Sequence, residues 1–250
     1  MEILRDAAQA VQRNLSALFQ YLAFIAGYSL MMSALRVYVL SRFGPEDASM
    51  LKHISVLAVL FAGTAWIAAA QALVFTRMGR EIDKPLWKVR DAAEGFRRFY
   101  MLWFEFNLIV HTLNWVLIVN VDSPAFQVFK LVALLAFLSA AIVLVPFGAC
   151  IMFHGRFSWE TLGESLAPLA KQFPRALPIF LVTFIQIYLG FYIGVRLEPD
   201  TAEPTLLDLT TAIQLATDVA LGYLDCLAFA ATWLVCVVDR ESPDEIDLDF

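Results

Sequence analysis

The chain has 250 residues, is 60% hydrophobic and 17% charged, and has a mean hydropathy of +0.68. A soluble domain is nearer half apolar and a quarter charged, which excludes a soluble globular enzyme and a disordered chain. The 24 acids outnumber the 18 bases, for a net charge of −6, so no basic excess is left for nucleic-acid phosphates.

The first element is a short amphipathic helix. Leu4, Ala7, Ala8 and Val11 share one face, with Arg5, Gln9 and Gln12 opposite. Such a helix is expected to lie in the membrane interface. It has neither the short apolar core nor the cleavage site of a signal peptide, so none is expected.

Six mostly apolar segments follow, at roughly 15–39, 54–76, 99–120, 126–153, 177–195 and 212–238. Each is close to the ~20 residues that cross a bilayer as a helix. Lipid offers no partner to an unpaired backbone group, so all are expected to be helical. The alternation of a β-barrel is absent.

Basic residues set the expected orientation. The 77–98 loop carries Arg77, Arg80, Lys84, Lys88, Arg90, Arg97 and Arg98, and the 154–176 loop carries Arg156, Lys171 and Arg175. On the other side, 121–125 has no base, and 196–211 has Arg196 against four acids. Both termini are therefore expected in the cytoplasm, with a short acidic tail at 239–250. A bacterial inner membrane fits this pattern.

The chain also reads as a repeat. Arg-Asp-Ala-Ala occurs at 5–8 and again at 90–93, and at the same offset Arg13 falls on Arg98 and Phe19 on Phe104. A third copy places Asp6 on Glu164, Val11 on Leu169 and Arg13 on Lys171. The second and third lead-in faces would be Val89, Ala92, Ala93 and Phe96, then Leu162, Leu166, Leu169 and Phe173. The expected object is an all-α integral membrane protein forming a single membrane domain. Its six transmembrane helices form three helical hairpins, each preceded by an interfacial amphipathic helix. The repeats would cover 1–84, 85–157 and 158–238.

Ionisable and amide groups inside spans are functional candidates, because burying them is costly. The third span contains Glu105, Asn107, His111 and Asn114, the last three on one face. The sixth carries a stripe of Thr211, Gln214, Asp218, Asp225 and Thr232, with Gly222 between the aspartates. One reading is a proton or cation path with Asp225 and His111 as titrating stations. The other is interhelical hydrogen bonding that fixes packing. Asp218 could instead meet Arg36, Lys130 or Arg196 near the outer headgroups. His53 and His154 are expected at the surface. The tryptophans are expected near span ends, anchored in headgroups.

Pro146 and Gly148 are expected to kink the fourth span, and Pro168, Pro174 and Pro178 to break the helix that follows. Cys226 and Cys236 are ten residues apart, about 15 Å of helical rise, too far for a disulfide. No Cys/His spacing suggests a metal, and no cofactor is expected. Nucleotide-binding glycine loops, HExxH and GxSxG are all absent, so no enzymatic activity is expected.

The stretch Leu144–Gly190 contains Gly163-Glu164-Ser165-Leu166, then Lys171 and Arg175. It resembles poorly characterised bacterial six-span proteins, including the membrane domain attached to some glycerophosphodiester phosphodiesterases. The resemblance covers under a fifth of the chain and implies architecture, not catalysis. In size and amphipathic N-terminus the chain also resembles permeases of ABC exporters of the second type. Those have long re-entrant helices between the fifth and sixth spans, for which residues 197–211 are too few.

The leading functional expectation is a non-catalytic scaffold or accessory subunit of a membrane complex. It would contact membrane lipids and another membrane protein, docking through Arg90, Arg97, Arg98, Lys171 and Arg175. The alternatives are a small transporter or channel using the intramembrane stripe, and a permease module with a separate ATPase.

Overall fold

The computed structural model describes residues 2–43, 50–82, 89–118, 123–155, 158, 162–196 and 209–241. These form eight helices and, among the described residues, no strand. They are α1 (Glu2–Arg13), α2 (Leu15–Phe43), α3 (Met50–Ile82), α4 (Ala92–Ile118), α5 (Pro124–His154), α6 (Leu162–Lys171), α7 (Phe173–Arg196) and α8 (Leu209–Glu241). The acidic tail beyond Glu241 lies outside the described residues.

Five helices are long and apolar enough to cross a membrane, over Leu15–Leu35, Leu57–Ile82, Ala125–His154, Phe173–Gly190 and Thr211–Glu241. The helix α4 is long enough but more polar, because Glu94, Arg97, Arg98, Glu105, Asn107, His111 and Asn114 all fall within it. Large apolar side chains of α5 (Val128, Phe129, Leu131, Val132, Leu135) and α7 (Leu181, Phe184, Ile185, Tyr188) point outward. A water-soluble monomer rarely presents so large an apolar face; a lipid-facing one does.

Local chemistry sets the helix ends. The Asn14 amide donates to the Ala10 carbonyl at 3.0 Å and separates α1 from α2. Pro124 occupies the first turn of α5, where its missing N–H costs nothing. The same helix ends on Gly155 at φ 69°, whose N–H returns to the Met152 carbonyl at 2.9 Å.

Three sequence expectations change here. The helices α6 and α7 run through Pro168 and Pro178, so these two prolines do not break them, and Pro146 lies inside α5, as a kinking proline would. The break falls at Gln172, and Pro174 sits harmlessly in the first turn of α7. The second lead-in is not a separate helix, because α4 begins at Ala92 and runs unbroken to Ile118. Its position equivalent to Asn14 is Phe99, an apolar core residue with no capping group. The repeated tetrapeptide also has two roles. Asp6 is an exposed residue inside α1, whereas Asp91 accepts the Glu94 N–H at 2.8 Å and caps α4.

The two separate amphipathic helices are built into the bundle. The face of α1 carrying Ala7 and Val11 is buried, and α1 packs chiefly on α8. From α6, Ser165, Pro168 and Leu169 are buried, and the Ser165 carbonyl accepts Cys150 Sγ at 2.7 Å.

Contacts fix the directions of the long helices. Trp66 packs under Phe24 and Arg77 reaches Gln20, so α2 and α3 are antiparallel. Asn107 meets Gln71 and His111 meets Thr64, so α3 and α4 are antiparallel too. By the same test, α5 opposes α4, while α8 opposes α2 and α7. The basic ends of α3, α4, α5 and α8, together with α1 and α6, gather at one end of the bundle.

The central helix is α8. Of its apolar stretch 56% is buried, against 17% for α5 and for α7. Small residues (Ala228, Ala230 and Ala231 on α8, Ala68, Ala70 and Ala72 on α3) let the backbones approach. Against them packs an aromatic spine. Phe75 stacks on Phe229 with centroids 4.4 Å apart and meets Tyr21 and Trp103 at 5.1 and 5.3 Å. Trp233 continues it toward Phe153. Trp103 and Trp233 are thus core residues and not headgroup anchors. Trp66 is partly exposed but sits at the middle of α3, donating Nε1 to the Phe24 carbonyl at 2.8 Å, and so is not at a span end; His154 is exposed, as expected.

The bundle also brings together two thiols that are far apart in sequence. Cys150 Sγ on α5 and Cys236 Sγ on α8 are 3.4 Å apart, both buried. A small membrane-permeant oxidant is expected to join them in a disulfide, leaving Cys226 reduced. Peptide mass spectrometry should find the 150–236 linkage, with α5 and α8 held together under denaturing conditions after proteolysis between them. Recovery of both thiols free would contradict this packing of α5 on α8.

Candidate functional site

A cavity of about 240 Å³ lies among the six long helices. That is room for several waters, each taking ~30 Å³ of liquid. Its walls take Tyr21, Ile25 and Tyr28 from α2, Ile67 and Gln71 from α3, and Asn107 and Val110 from α4. Ala141, Leu144 and Val145 come from α5, Thr183, Gln186 and Ile187 from α7, and Asp218, Leu221, Gly222 and Asp225 from α8.

Asp225 is the midpoint of α8, sixteen residues from each end, or about 24 Å of rise. Its two oxygens are held from two other helices. Tyr21 of α2 donates its hydroxyl to Oδ2 at 3.1 Å, and Gln186 of α7 donates Nε2 to Oδ1 at 2.7 Å. The same Gln186 amide reaches the Leu221 carbonyl at 3.2 Å. Each carboxylate oxygen has two acceptor sites, so both retain capacity after these bonds.

Asp218 sits two turns away along α8. Gln214 donates to its Oδ1 at 2.9 Å, and buried Ser29 of α2 lies beside it. Lys130 lies over the Phe126 ring, 5.7 Å from its centroid, and Asp218 lines the cavity. The side chains of Arg36 and Arg196 lie outside the described residues.

A second polar group closes the opposite wall. Asn107 of α4 uses one amide nitrogen twice, donating to Gln71 Oε1 and to the Trp103 carbonyl, each at 2.6 Å. Gln71 also lies beside the Tyr21 hydroxyl. The Asp225 and Asn107 groups therefore meet at Tyr21.

The remaining candidates are placed elsewhere. His111 shares a 2.8 Å hydrogen bond with Thr64 of α3 and is not in the cavity wall, so it is not a partner of Asp225. Asn114 is exposed, and Glu105 is half-buried outside the lining. Thr232 is buried on its own helix, bonding the Ala228 carbonyl at 2.8 Å. Among the basic candidates, Arg98 reaches Glu94 and the Gly155 carbonyl. Arg90, Arg97, Lys171 and Arg175 are exposed at the basic end.

The sequence reading missed Tyr21, Gln71, Thr183 and Gln186. A usable signal existed, since each is a polar group isolated in an apolar run, and such a group needs a partner on another helix.

Among the described residues, the cavity wall holds two carboxylates and no basic side chain, and no cluster of three metal-ligating residues occurs. No known protein family, curated protein or solved structure matches the chain.

Proposed function

We propose that this chain is a small integral membrane transport protein that holds a cationic solute in the cavity among its long helices. The observation that carries this reading is the pair of carboxylates facing one cavity with no basic side chain in its wall. In a low-dielectric interior such charge calls for a counter-cation or bound protons. In this reading α4 is a sixth crossing, running antiparallel to α3 and α5. The helices α2/α3, α4/α5 and α7/α8 form three hairpins. The basic end faces the cytoplasm of a bacterial inner membrane, and no catalytic step is involved.

The test is flux of small cations into proteoliposomes containing the purified chain. The wild type should exceed empty vesicles, and Asp225→Asn should not. His111→Ala, outside the lining, should retain flux. Equal flux with and without the protein for every cation tried would overturn the reading.

A second reading is favoured by the exposed cations Arg97, Lys171 and Arg175 at one end of the bundle. It is an accessory subunit that docks another protein there, an ATPase being one such partner. Reversing Arg97 and Arg98 to Glu should then strip a stoichiometric partner from native-nanodisc preparations. Retention of that partner would remove this reading.

A further inference from the structure

The geometry points to a short aliphatic diamine, carrying one ammonium group at each end, as the ligand of this cavity. The inference rests on the transport reading above and specifies its substrate class.

Asp218 and Asp225 are seven residues apart on α8. Seven residues advance about 10.5 Å and turn the helix to within about 20° of two full turns. The two carboxylates therefore stand one above the other on the same face, and both line the same cavity. That separation is too great for one metal ion, whose oxygen ligands lie only about 2–2.6 Å from it. It is also too great for one ammonium group, which binds a carboxylate at about 2.8 Å.

Two ammonium groups, one on each carboxylate, would be about 5–7 Å apart once both contacts are subtracted. An extended chain advances about 1.3 Å per bond, and n carbons between two nitrogens make n + 1 bonds, so about three or four carbons connect them. The wall between the carboxylates suits that connector. Leu221, Ile25 and Val145 are apolar, and Gly222 lets α8 close against Ile25 and Leu22 of α2. Tyr21 and Tyr28 place aromatic rings beside the two charged ends, a further attraction for ammonium.

Both carboxylates have acceptor capacity to spare. The donors on Asp225 are Tyr21 and Gln186, and those on Asp218 are Gln214 and Ser29, which leaves part of the four acceptor sites of each carboxylate open. These neutral groups orient the oxygens without neutralising them.

The test is calorimetric titration of the full chain in neutral-lipid nanodiscs with diamines of two to eight carbons. Butylamine, potassium and tetramethylammonium serve as comparators. Affinity should peak at about three or four carbons. Butylamine should bind at least about tenfold more weakly, having lost one charge-assisted contact. In Asp218→Asn and in Asp225→Asn the diamine should bind no better than butylamine. The chain-length profile needs no substitution, so it stands even where a variant fails to fold.

A flat profile, or butylamine equal to diaminobutane, overturns the diamine assignment. Should potassium or a monoamine bind in an Asp225-dependent way, the transport reading survives and the diamine assignment falls. Should no cation bind at all, both fall together.

Discussion

Asp225→Asn is expected to cut solute flux by roughly a hundredfold while leaving the bundle folded. The reasoning begins with the two bonds that Asp225 accepts, from Tyr21 at 3.1 Å and Gln186 at 2.7 Å. Asparagine has the same size and keeps one oxygen, so one of the two donors stays satisfied. The Gln186 amide can turn its oxygen toward the new NH₂ group, at the cost of its contact with the Leu221 carbonyl. Interhelical hydrogen bonds in membrane proteins are worth about 0.6 kcal/mol each on average. The expected fall in stability is therefore about 1 kcal/mol or less. The charge is a different matter. A hydrogen bond to a charged group contributes roughly 1.5–3 kcal/mol, about ten- to a hundredfold and more in occupancy. Flux in proteoliposomes and thermal unfolding in detergent separate the two effects. Normal flux in a folded variant would remove Asp225 from the mechanism. Loss of the fold would make Asp225 chiefly a packing residue.

The largest expected loss of stability comes from Gly148→Val, which should leave little folded protein. A Cβ at this position would drive directly into the Trp103 ring. That ring is fully buried, donates Nε1 to Met152 Sδ at 3.2 Å, and packs on Phe75 at 5.3 Å. A flexible side chain could swing aside, but an indole fixed on several sides moves only by shifting α4. Overpacking a filled core costs about 1–3 kcal/mol, occasionally more, and here the aromatic spine is disrupted as well. A cost of about 3 kcal/mol or more is expected, read as aggregation on extraction or loss of the unfolding transition. Adding Trp103→Ala should restore part of the stability by vacating the space. A Gly148→Val variant that unfolds like the wild type would show that α4 and α5 do not pack face to face here.

The contrast between these two positions shows what the sequence could and could not convey. Asp225 was legible because a carboxylate in an apolar run has few inexpensive explanations. Gly148 was legible only as a kink beside Pro146. Its contact with Trp103 depends on how α4 and α5 meet, 45 residues apart in sequence. His111 illustrates the reverse error. It shares a face with Asn107 on α4, yet Thr64 holds it while Asn107 reaches the cavity. Periodicity says which residues lie on one side of a helix and leaves open which neighbour each one meets.

By itself, the sequence determined the class of protein and the places where helices run. Long apolar runs must be helical in lipid, since the backbone there can bond only to itself. Five of the six expected segments fall within α2, α3, α5, α7 and α8, and the third follows α4 to its end at Ile118, its last two residues lying outside the described residues. Tertiary structure alone decided the rest. It buried Trp103 and Trp233, paired Cys150 with Cys236, and folded α1 and α6 against the bundle. It also gathered Tyr21, Gln71, Asn107 and Gln186 from four helices around Asp225. Local rules act over three or four residues along a helix. A cavity walled by six helices depends on their rotation and mutual approach, which long-range side-chain packing sets.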